Sequence, residues 1–342
     1  MEDLATWLRA AVEQGASDLH LTVESPPVLR VNGELVDLEG PRLRPEDVRQ
    51  LVEPLLDERS RLTLEREGQV DFAHSLPGVG RFRANVYRQR GSLAAAFRLI
   101  PVHVPDLESL GLPPSVDAFC DLTQGLVLVT GPTGHGKSTT LAAMVDRINR
   151  SRRAHVVTLE DPIEYLHRHA RSLVDQREVG LDTPSFAAGL RAALREDPDV
   201  IMVGEMRDLE TISIALTAAE TGHLVLATLH TPSAPQAVDR IVDVFPADQQ
   251  NQTRVQLAGV LEGIVAQRLV PSADGSRRHL VAEVLVATHA VRNLIREGKT
   301  AQLASVMESS RQLGMVTMRE SAGQLLTRGL VTREALLRVG VR

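Results

Sequence analysis

The sequence predicts a two-domain α/β protein, in which a small α+β module precedes a larger domain built on a parallel sheet. The chain has 342 residues, more than one compact core of ordinary size usually organises, so two domains are expected. From residue 125 onward, apolar segments typical of buried strands alternate with helical segments. That alternation indicates a parallel sheet covered by helices on both faces.

The first domain is predicted over residues 1–100, where helix and strand patterns are mixed. The Asn32–Gly33 pair stands between two alternating runs and predicts a hairpin. A second pair of strands is expected around a turn at Arg90–Gly91. Prolines then cluster over 101–115, which we interpret as a linker.

The second domain is predicted over residues 116–342. A helix is expected over 137–150. From about residue 255 we expect the chain to be mainly helical, including the C-terminal part over 270–342, with one strand at 280–286. The apolar strands of this domain are predicted at 125–130, 155–160, 200–205 and 223–230.

Composition narrows the class of protein. The net charge is −6, from 38 basic and 44 acidic residues, and only 3% of residues are aromatic, so no nucleic-acid partner is expected. Cys120 is the only cysteine, which excludes a disulfide within the chain and a multi-cysteine zinc site. No apolar run approaches the roughly 18 residues that span a bilayer, and the first residues resemble an amphipathic helix rather than a signal peptide. We therefore expect a cytoplasmic protein.

The segment GPTGHGKS matches the phosphate-binding pattern G-x-x-x-x-G-K-[ST], between a predicted buried strand and a predicted helix. Glycines let backbone N–H groups turn toward phosphates, and the start of the helix directs its positive end at them. Lys137 would reach the β- and γ-phosphates of ATP, and the Ser138 hydroxyl would bind Mg²⁺. The residues expected to contact the nucleotide are Gly131, Pro132, Thr133, Gly134, His135, Gly136, Lys137, Ser138 and Thr139.

Acidic residues follow two of the predicted strands, Glu160, Asp161 and Glu164 after one and Glu205 after another. In a parallel sheet these carboxyl ends meet at one edge, where ligands bind. Phosphoryl transfer to water needs one carboxylate to help hold Mg²⁺ and another to activate water. Glu205 suits the metal, and Glu164 suits the water, with Glu160 as its competitor.

Two histidines, His223 and His230, flank the apolar segment LVLATL. His230 falls at the carboxyl end of that predicted strand, close to where a γ-phosphate would lie. A histidine there can hydrogen-bond the phosphate and transmit its loss to the next segment. His223 is a weaker candidate for contact with the nucleotide.

Six further motifs occur in the chain in the order GASDLHL, GPTGHGKSTT, TLEDPIEY, LREDPDVIMVGEMRD, TAAETGHLVLATLHT and VDVFP. Together they resemble the type II/IV secretion ATPase superfamily, and the resemblance covers essentially the whole chain. The segment AVRNLIRE at 290–297, which has Val291, Leu294 and Ile295 on one side, is similar to the C-terminal signature of the pilus-retraction members of that superfamily.

The resemblance implies a PAS-like N-terminal domain and a RecA-like ATPase domain, assembled as a homohexameric ring. It identifies Glu160–Glu164 with an aspartate box, Glu205 with the end of a Walker B strand and His223–His230 with a histidine box. It also implies that Arg83 and Arg98, on adjacent predicted strands, complete a nucleotide site in the ring. Arg195 and Arg207 are further candidates that the sequence does not rank.

The resemblance further implies that ATP hydrolysis in the ring powers retraction of type IV pili. The partner would be a membrane-embedded platform protein, which places the ring at the inner face of the cytoplasmic membrane. The alternatives are a pilus-extension or type II secretion ATPase, an accessory retraction paralogue, a RecA-like nucleic-acid motor and a non-catalytic regulatory ring.

Two positions depart from the family pattern. His135 replaces the small Ser or Ala that is usual in this loop, and we expect its side chain to point outward because backbone groups surround the phosphates. Pro232 follows the histidine box where Thr is usual, and we expect it to stiffen that segment.

Overall fold

The structure is a computed structural model that describes residues 3–31, 33–101 and 103–341. The chain divides into two compact units, Met1–Val102 and His103–Arg342. Each unit has its own sheet and its own hydrophobic core. Each therefore has a fold of its own.

The first unit is built on a six-stranded antiparallel sheet. Its elements, in chain order, are α1 (Leu4–Glu13), β1 (Asp18–Leu21), β2 (Val28–Val31), β3 (Glu34–Asp37), α2 (Pro45–Val52), α3 (Glu58–Glu67), β4 (Gln69–Leu76), β5 (Gly80–Gln89) and β6 (Ser92–Ile100). The strand order is β3-β2-β1-β6-β5-β4. Trp7 and Leu8 of α1 and Val48 of α2 share one core with Leu19 and Phe97 of the sheet, so the helices bury the apolar face that the strands present.

Both predicted hairpins of this unit are confirmed. Strands β2 and β3 pair antiparallel, although Asn32 of the predicted turn lies outside the described residues. Strands β5 and β6 pair around Arg90 and Gly91, which both have positive φ, at 48° and 79°. Such turns match the twist of the strands that they join. Strand β4 was not predicted, because polar residues are interspersed with the apolar ones in its sequence QVDFAHSL.

The second unit is built on a seven-stranded sheet. Its elements are α4 (Ser115–Phe119), β7 (Gly125–Thr130), α5 (Lys137–Ser151), β8 (His155–Glu160), β9 (Leu173–Glu178), α6 (Phe186–Ala193), β10 (Val200–Val203), α7 (Leu209–Glu220), β11 (Leu224–Leu229), α8 (Ala234–Asp243), α9 (Gln250–Val260), β12 (Leu261–Pro271), β13 (Arg278–Val286), α10 (His289–Arg296), α11 (Leu303–Ser309), α12 (Met318–Thr327) and α13 (Arg333–Arg338).

The strand order of this sheet is β13-β12-β7-β11-β10-β8-β9. All neighbours are parallel except β12 and β13. Alternate residues of the central strands enter different cores: Leu126 and Leu128 of β7 lie in one, and Val127 and Val129 in the other. Both faces of the sheet are therefore covered, which explains why these strands are continuously apolar.

Two strands of this sheet, β9 and β12, were not predicted from the sequence. Strand β9 has the polar sequence LVDQRE, and β12 lies in a segment that was expected to be helical after α9. Strand β12 pairs with β7 on one side and β13 on the other, so its strand conformation depends on partners remote in sequence. The segment 101–115 that we predicted as a linker contains Val104 and Leu107, which are buried in the core of the second unit.

Cys120, at the end of α4, is fully buried. Burial, with Asp117 nearby, raises the pKa of its thiol to about 12. Among the described residues, no helix is both long and apolar enough to cross a membrane.

Candidate active site

Four adjacent parallel strands bring the predicted site residues to one edge of the second sheet. In the order β7-β11-β10-β8, the carboxyl ends lead to the loop Gly131–Ser138, to His230, to Glu205 and to Glu160. In open sheets of parallel strands, ligands bind at the carboxyl ends of the strands. The sheet thus explains why residues spread over about 100 positions of the chain meet at one place.

The phosphate-binding loop connects β7 to α5 in a conformation that needs glycine. Gly131 has a φ of 147°, and a Cβ there would lie 2.4 Å from the carbonyl oxygen of Gln267 on β12. Gly136, the residue before α5, has a φ of 83°, a left-handed conformation that side chains disfavour. These glycines allow the loop backbone to turn sharply just before α5, a helix of 15 residues. The unpaired N–H groups and the dipole at the start of such a helix favour an anion.

Lys137 is held inside this loop and is only 8% exposed. Its Nζ donates to the carbonyl oxygen of Gly131 at 2.9 Å and to that of Pro132 at 3.1 Å. Burial lowers the pKa of Lys137, and the carboxylates of Glu205 and Glu164 oppose that shift. A partly desolvated ammonium interacts more strongly with a phosphate than one in bulk water, so Lys137 is suited to bind a polyphosphate.

His230 connects the loop to the carboxylate of Glu205. Its Nε2 lies 2.7 Å from Oε1 of Glu205, and its Nδ1 lies 3.4 Å from both Nζ of Lys137 and Oγ1 of Thr133. Arg207 pairs with the same carboxylate, and this contact raises the pKa of the guanidinium. The predicted neighbourhood of Glu205, His230 and Lys137 is therefore present in the folded chain.

Glu160 and Glu164 differ in their surroundings. Burial raises the pKa of Glu160, although its Oε1 accepts hydrogen bonds from Oγ1 of Thr158 at 2.6 Å and Nε2 of Gln176 at 2.9 Å. Glu164 lies in the loop after β8 with an exposed side chain, near enough to Lys137 to affect its pKa. Glu160 is thus engaged in the interior, whereas Glu164 faces the loop and solvent.

Two predicted candidates do not lie at this edge. His223 precedes β11, at the amino end of a strand whose six residues span about 20 Å, and its Nδ1 lies 2.9 Å from the carbonyl oxygen of Ala218. Within this chain it does not reach the phosphate-binding loop, because an extended strand separates it from His230. Arg195 lies between α6 and the amino end of β10, where its guanidinium donates to the carbonyl oxygen of Arg191.

Arg83 and Arg98 of the first unit are directly opposite each other on β5 and β6. Arg98 donates from Nε to Oδ1 of the buried Asp18 at 2.9 Å, and Nε of Arg83 lies 3.7 Å from Oδ1 of Asp71. Like charges in direct cross-strand register repel, and the aspartates offset part of that repulsion. The pair presents two exposed guanidinium groups on one face of the sheet.

Two further residues contact the site without having been predicted. Oγ1 of Thr139, in the first turn of α5, lies 3.1 Å from the hydroxyl of Tyr165, which follows Glu164. Gln267, in the middle of β12, donates to the carbonyl oxygen of His135. The only sequence signal for Gln267 is a polar residue inside the apolar run IVAQRLV.

Residues 98–338 match the family described as "Type II/IV secretion system protein". The chain belongs to this family. It is 46% identical to the type IV pilus retraction ATPase PilT of Pseudomonas aeruginosa, over 97% of this chain and 96% of that protein. A twitching motility protein of Neisseria gonorrhoeae is 47% identical over 91% of this chain and 83% of its own length.

A solved family structure is also similar. The crystal structure of the pilus retraction motor PilT with bound ADP has a TM-score of 0.92 and 50% sequence identity, and the match covers 99% of this chain and 97% of that one. The similarity covers nearly all of both chains and is therefore not confined to the phosphate-binding loop.

Proposed function

We propose that this protein is an ATP-hydrolysing motor that powers the retraction of type IV pili. The observation that carries the proposal is Lys137, buried in its loop beside His230 and Glu205, in a chain 46% identical to a pilus retraction ATPase over nearly its whole length. Buried cations that face acidic and histidine side chains in a crevice are typical of phosphoryl-transfer sites.

The loop Gly131–Ser138 and Thr139 would bind ATP. The ADP in the similar PilT structure supports a nucleotide here. The exposed hydroxyl of Ser138 and the carboxylate of Glu205 are oxygen donors of the kind that Mg²⁺ prefers, so they would hold the ion. When bound, Mg²⁺ would neutralise charge on the β- and γ-phosphates.

The chain itself would supply the other elements of the chemistry. Glu164, which is exposed beside the loop, would orient and deprotonate the attacking water, a role for which the buried Glu160 is less accessible. His230 lies next to Lys137 and would hydrogen-bond the γ-phosphate. Loss of that phosphate would then change the conformation of the segment of Thr231 and Pro232, which leads into α8.

The assembled motor would be a homohexamer of PAS-like and RecA-like domains. Arg83 and Arg98 would complete a nucleotide site in the ring and neutralise charge on the transferring phosphoryl group. The ring would act on a platform protein at the inner face of the cytoplasmic membrane. The similarity to whole retraction ATPases supports this arrangement.

The first test is steady-state ATP hydrolysis with Mg²⁺, with oligomer size measured on the same samples. Lys137→Ala should abolish turnover, because the phosphates lose their buried cation. Lys299→Ala removes the only other lysine, which is exposed and paired with Glu297, and should leave turnover unchanged. Hydrolysis by Lys137→Ala at the wild-type rate would refute the site.

A second test distinguishes retraction from the alternatives. Deletion of the gene in its own organism should leave pili on the cell surface but abolish twitching, and the wild-type gene should restore movement where Lys137→Ala does not. Absence of surface pili would instead identify an extension motor. Tight DNA binding at physiological salt would identify a nucleic-acid motor.

A further inference from the structure

The phosphate-binding loop is tied to β12 as well as to the two elements that it connects. Gln267, which is 1% exposed, donates from Nε2 to the carbonyl oxygen of His135 at 2.8 Å and accepts at Oε1 from Oγ1 of Thr140 at 2.9 Å. One buried amide thus joins the loop to the start of α5. An amide buried in an apolar strand is costly unless its hydrogen bonds are made.

The side chain of His135 makes a second connection to the same strand. Its Nδ1 accepts the N–H of Leu269 at 2.9 Å. The ring is therefore hydrogen-bonded to β12 and does not point outward as the sequence led us to expect. Burial lowers the pKa of His135, and the positive charges of Arg268, Lys137 and Arg278 lower it further. A neutral ring has one nitrogen able to accept, as this contact requires.

Close packing leaves the loop little freedom on this side. A Cβ on Gly136 would lie 3.3 Å from Nε2 of Gln267, and one on Gly131 would lie 2.4 Å from the Gln267 carbonyl oxygen. The loop backbone therefore lies directly on β12, and the two hydrogen-bonding side chains fix where along the strand it sits.

We propose that His135 and Gln267 are positioning residues that hold the phosphate-binding loop in register on β12. Neither is expected to touch the reacting atoms. Their effect is to keep the loop amides and Lys137 arranged for phosphate before nucleotide arrives, so that binding does not have to order the loop. This inference rests on the proposed function, because it assumes that the loop binds nucleotide.

The test uses His135→Ala and His135→Asn in the full chain. Alanine removes the acceptor, whereas Oδ1 of asparagine stands where Nδ1 of histidine does and can accept the Leu269 N–H. For ADP measured by calorimetry, we expect Kd to rise about two- to tenfold in His135→Ala, the equivalent of one neutral hydrogen bond, and to stay within about twofold of wild type in His135→Asn.

Kinetics separate positioning from chemistry. In His135→Ala, KM for ATP should rise by a similar factor while kcat changes less than about twofold, because the reacting groups are intact. Gln267→Leu should also raise KM for ATP, and by a larger factor than His135→Ala. If that variant does not fold, Thr140→Val removes the hydroxyl bound to Oε1 of Gln267 at nearly constant shape and should also raise KM.

The proposal is overturned if His135→Ala binds ADP as tightly as wild type, or if His135→Asn is as weak as His135→Ala. Failure of the proposed function is a different result: wild type would not bind ADP, or Lys137→Ala would bind it equally well. Hydrogen exchange at the Leu269 amide then still tests the contact. It should be faster in His135→Ala than in wild type and restored by His135→Asn, and equal rates in all three would refute it.

Discussion

Two glutamates four positions apart, Glu160 and Glu164, lie in contrasting environments. Glu160 is buried and accepts hydrogen bonds from Thr158 and Gln176, and burial raises its pKa. Glu164 is exposed beside the loop that holds Lys137. A group that activates water needs access to that water, so the structure favours Glu164 for the proposed role and a structural role for Glu160.

Exchange of each carboxylate for its amide tests this assignment. Glu164→Gln should lower kcat about 100-fold or more, the usual contribution of a general base, while ADP affinity stays near that of wild type. Glu160→Gln is the matched control and should lose less activity, because an amide oxygen can still accept from Thr158 and Gln176. A larger loss of kcat in Glu160→Gln than in Glu164→Gln would reverse the assignment.

The ion pair between His155 and Asp175 should make the free energy of unfolding depend on pH. Burial lowers the pKa of His155, but its hydrogen bonds to Asp175 at 2.9 Å and to the carbonyl oxygen of Asp197 outweigh this, so the pKa is raised. A raised pKa means that folding favours the protonated ring. The stabilisation is complete below the unfolded value of about 6.5 and is lost as pH rises through the folded pKa.

Urea unfolding of wild type and Asp175→Asn between pH 5.5 and 8.5 measures that contribution. The difference in the free energy of unfolding should be largest at pH 5.5 and should shrink toward pH 8.5. Asp248→Asn provides a control, because it removes an exposed carboxylate away from His155 in the sequence. A difference that grows with pH would contradict the assigned direction of the pKa shift.

At the scale of elements, α10 has the predicted amphipathic pattern but one of its arginines is structural. Val291 and Ile295 are buried in the core. Arg292 turns back under the helix, where it donates to the carbonyl oxygens of Ala287, Ala258 and Gly259 and pairs with Glu262 at 2.8 Å. The guanidinium thus satisfies carbonyls at the end of α9 and joins that end to α10.

Arg292→Ala should therefore lower the free energy of unfolding by about 2–3 kcal/mol, because three carbonyls and a carboxylate lose a charged donor. Arg296→Ala, on the exposed side of the same helix, should change it by less than about 0.5 kcal/mol. Equilibrium urea denaturation at one pH compares the two variants. Equal effects would mean that Arg292 does not anchor the helix.

The strands that could be predicted from the sequence differ in burial from those that could not. Strands β7, β8, β10 and β11 were predicted because burial on both faces makes them continuously apolar. Strands β4 and β9 were missed because they carry polar residues, and β12 because its strand conformation depends on partners far away in the chain. Local patterns report burial well and long-range pairing poorly.

The same distinction holds within the site. The loop, Glu205 and His230 follow from strand ends, since a parallel sheet places them at one edge. His223 lies at the other edge of the sheet, because a motif that spans a strand has its two ends at opposite edges, and its contact with nucleotide stays a prediction. The contact of Gln267 with His135 joins residues 132 positions apart, and no local pattern specifies such a contact.

At the scale of the whole molecule, the main prediction concerns the contribution of the opposed arginines of the first unit to turnover. Arg83 and Arg98 lie in register with exposed side chains, and Asp71 and Asp18 offset only part of the repulsion between them. If they complete the proposed ring site, Arg83→Ala and Arg98→Ala should each lower kcat at least about tenfold in the hexamer. Nucleotide binding by isolated subunits should not change.

The control for these variants is Arg88→Ala, which removes another exposed arginine of β5. It should retain full turnover. Sedimentation must show that all variants still assemble, because loss of the ring would also abolish turnover. Hydrolysis by isolated subunits at the rate of the ring would contradict a shared site.

The burial of Cys120 has a practical consequence for such measurements. The only thiol of the chain is inaccessible, and its pKa near 12 leaves almost no thiolate at neutral pH to react with maleimides. A cysteine introduced on the surface of either unit should therefore be labelled selectively in the otherwise native sequence. A fluorophore attached at that cysteine would report on its surroundings during turnover without prior replacement of Cys120.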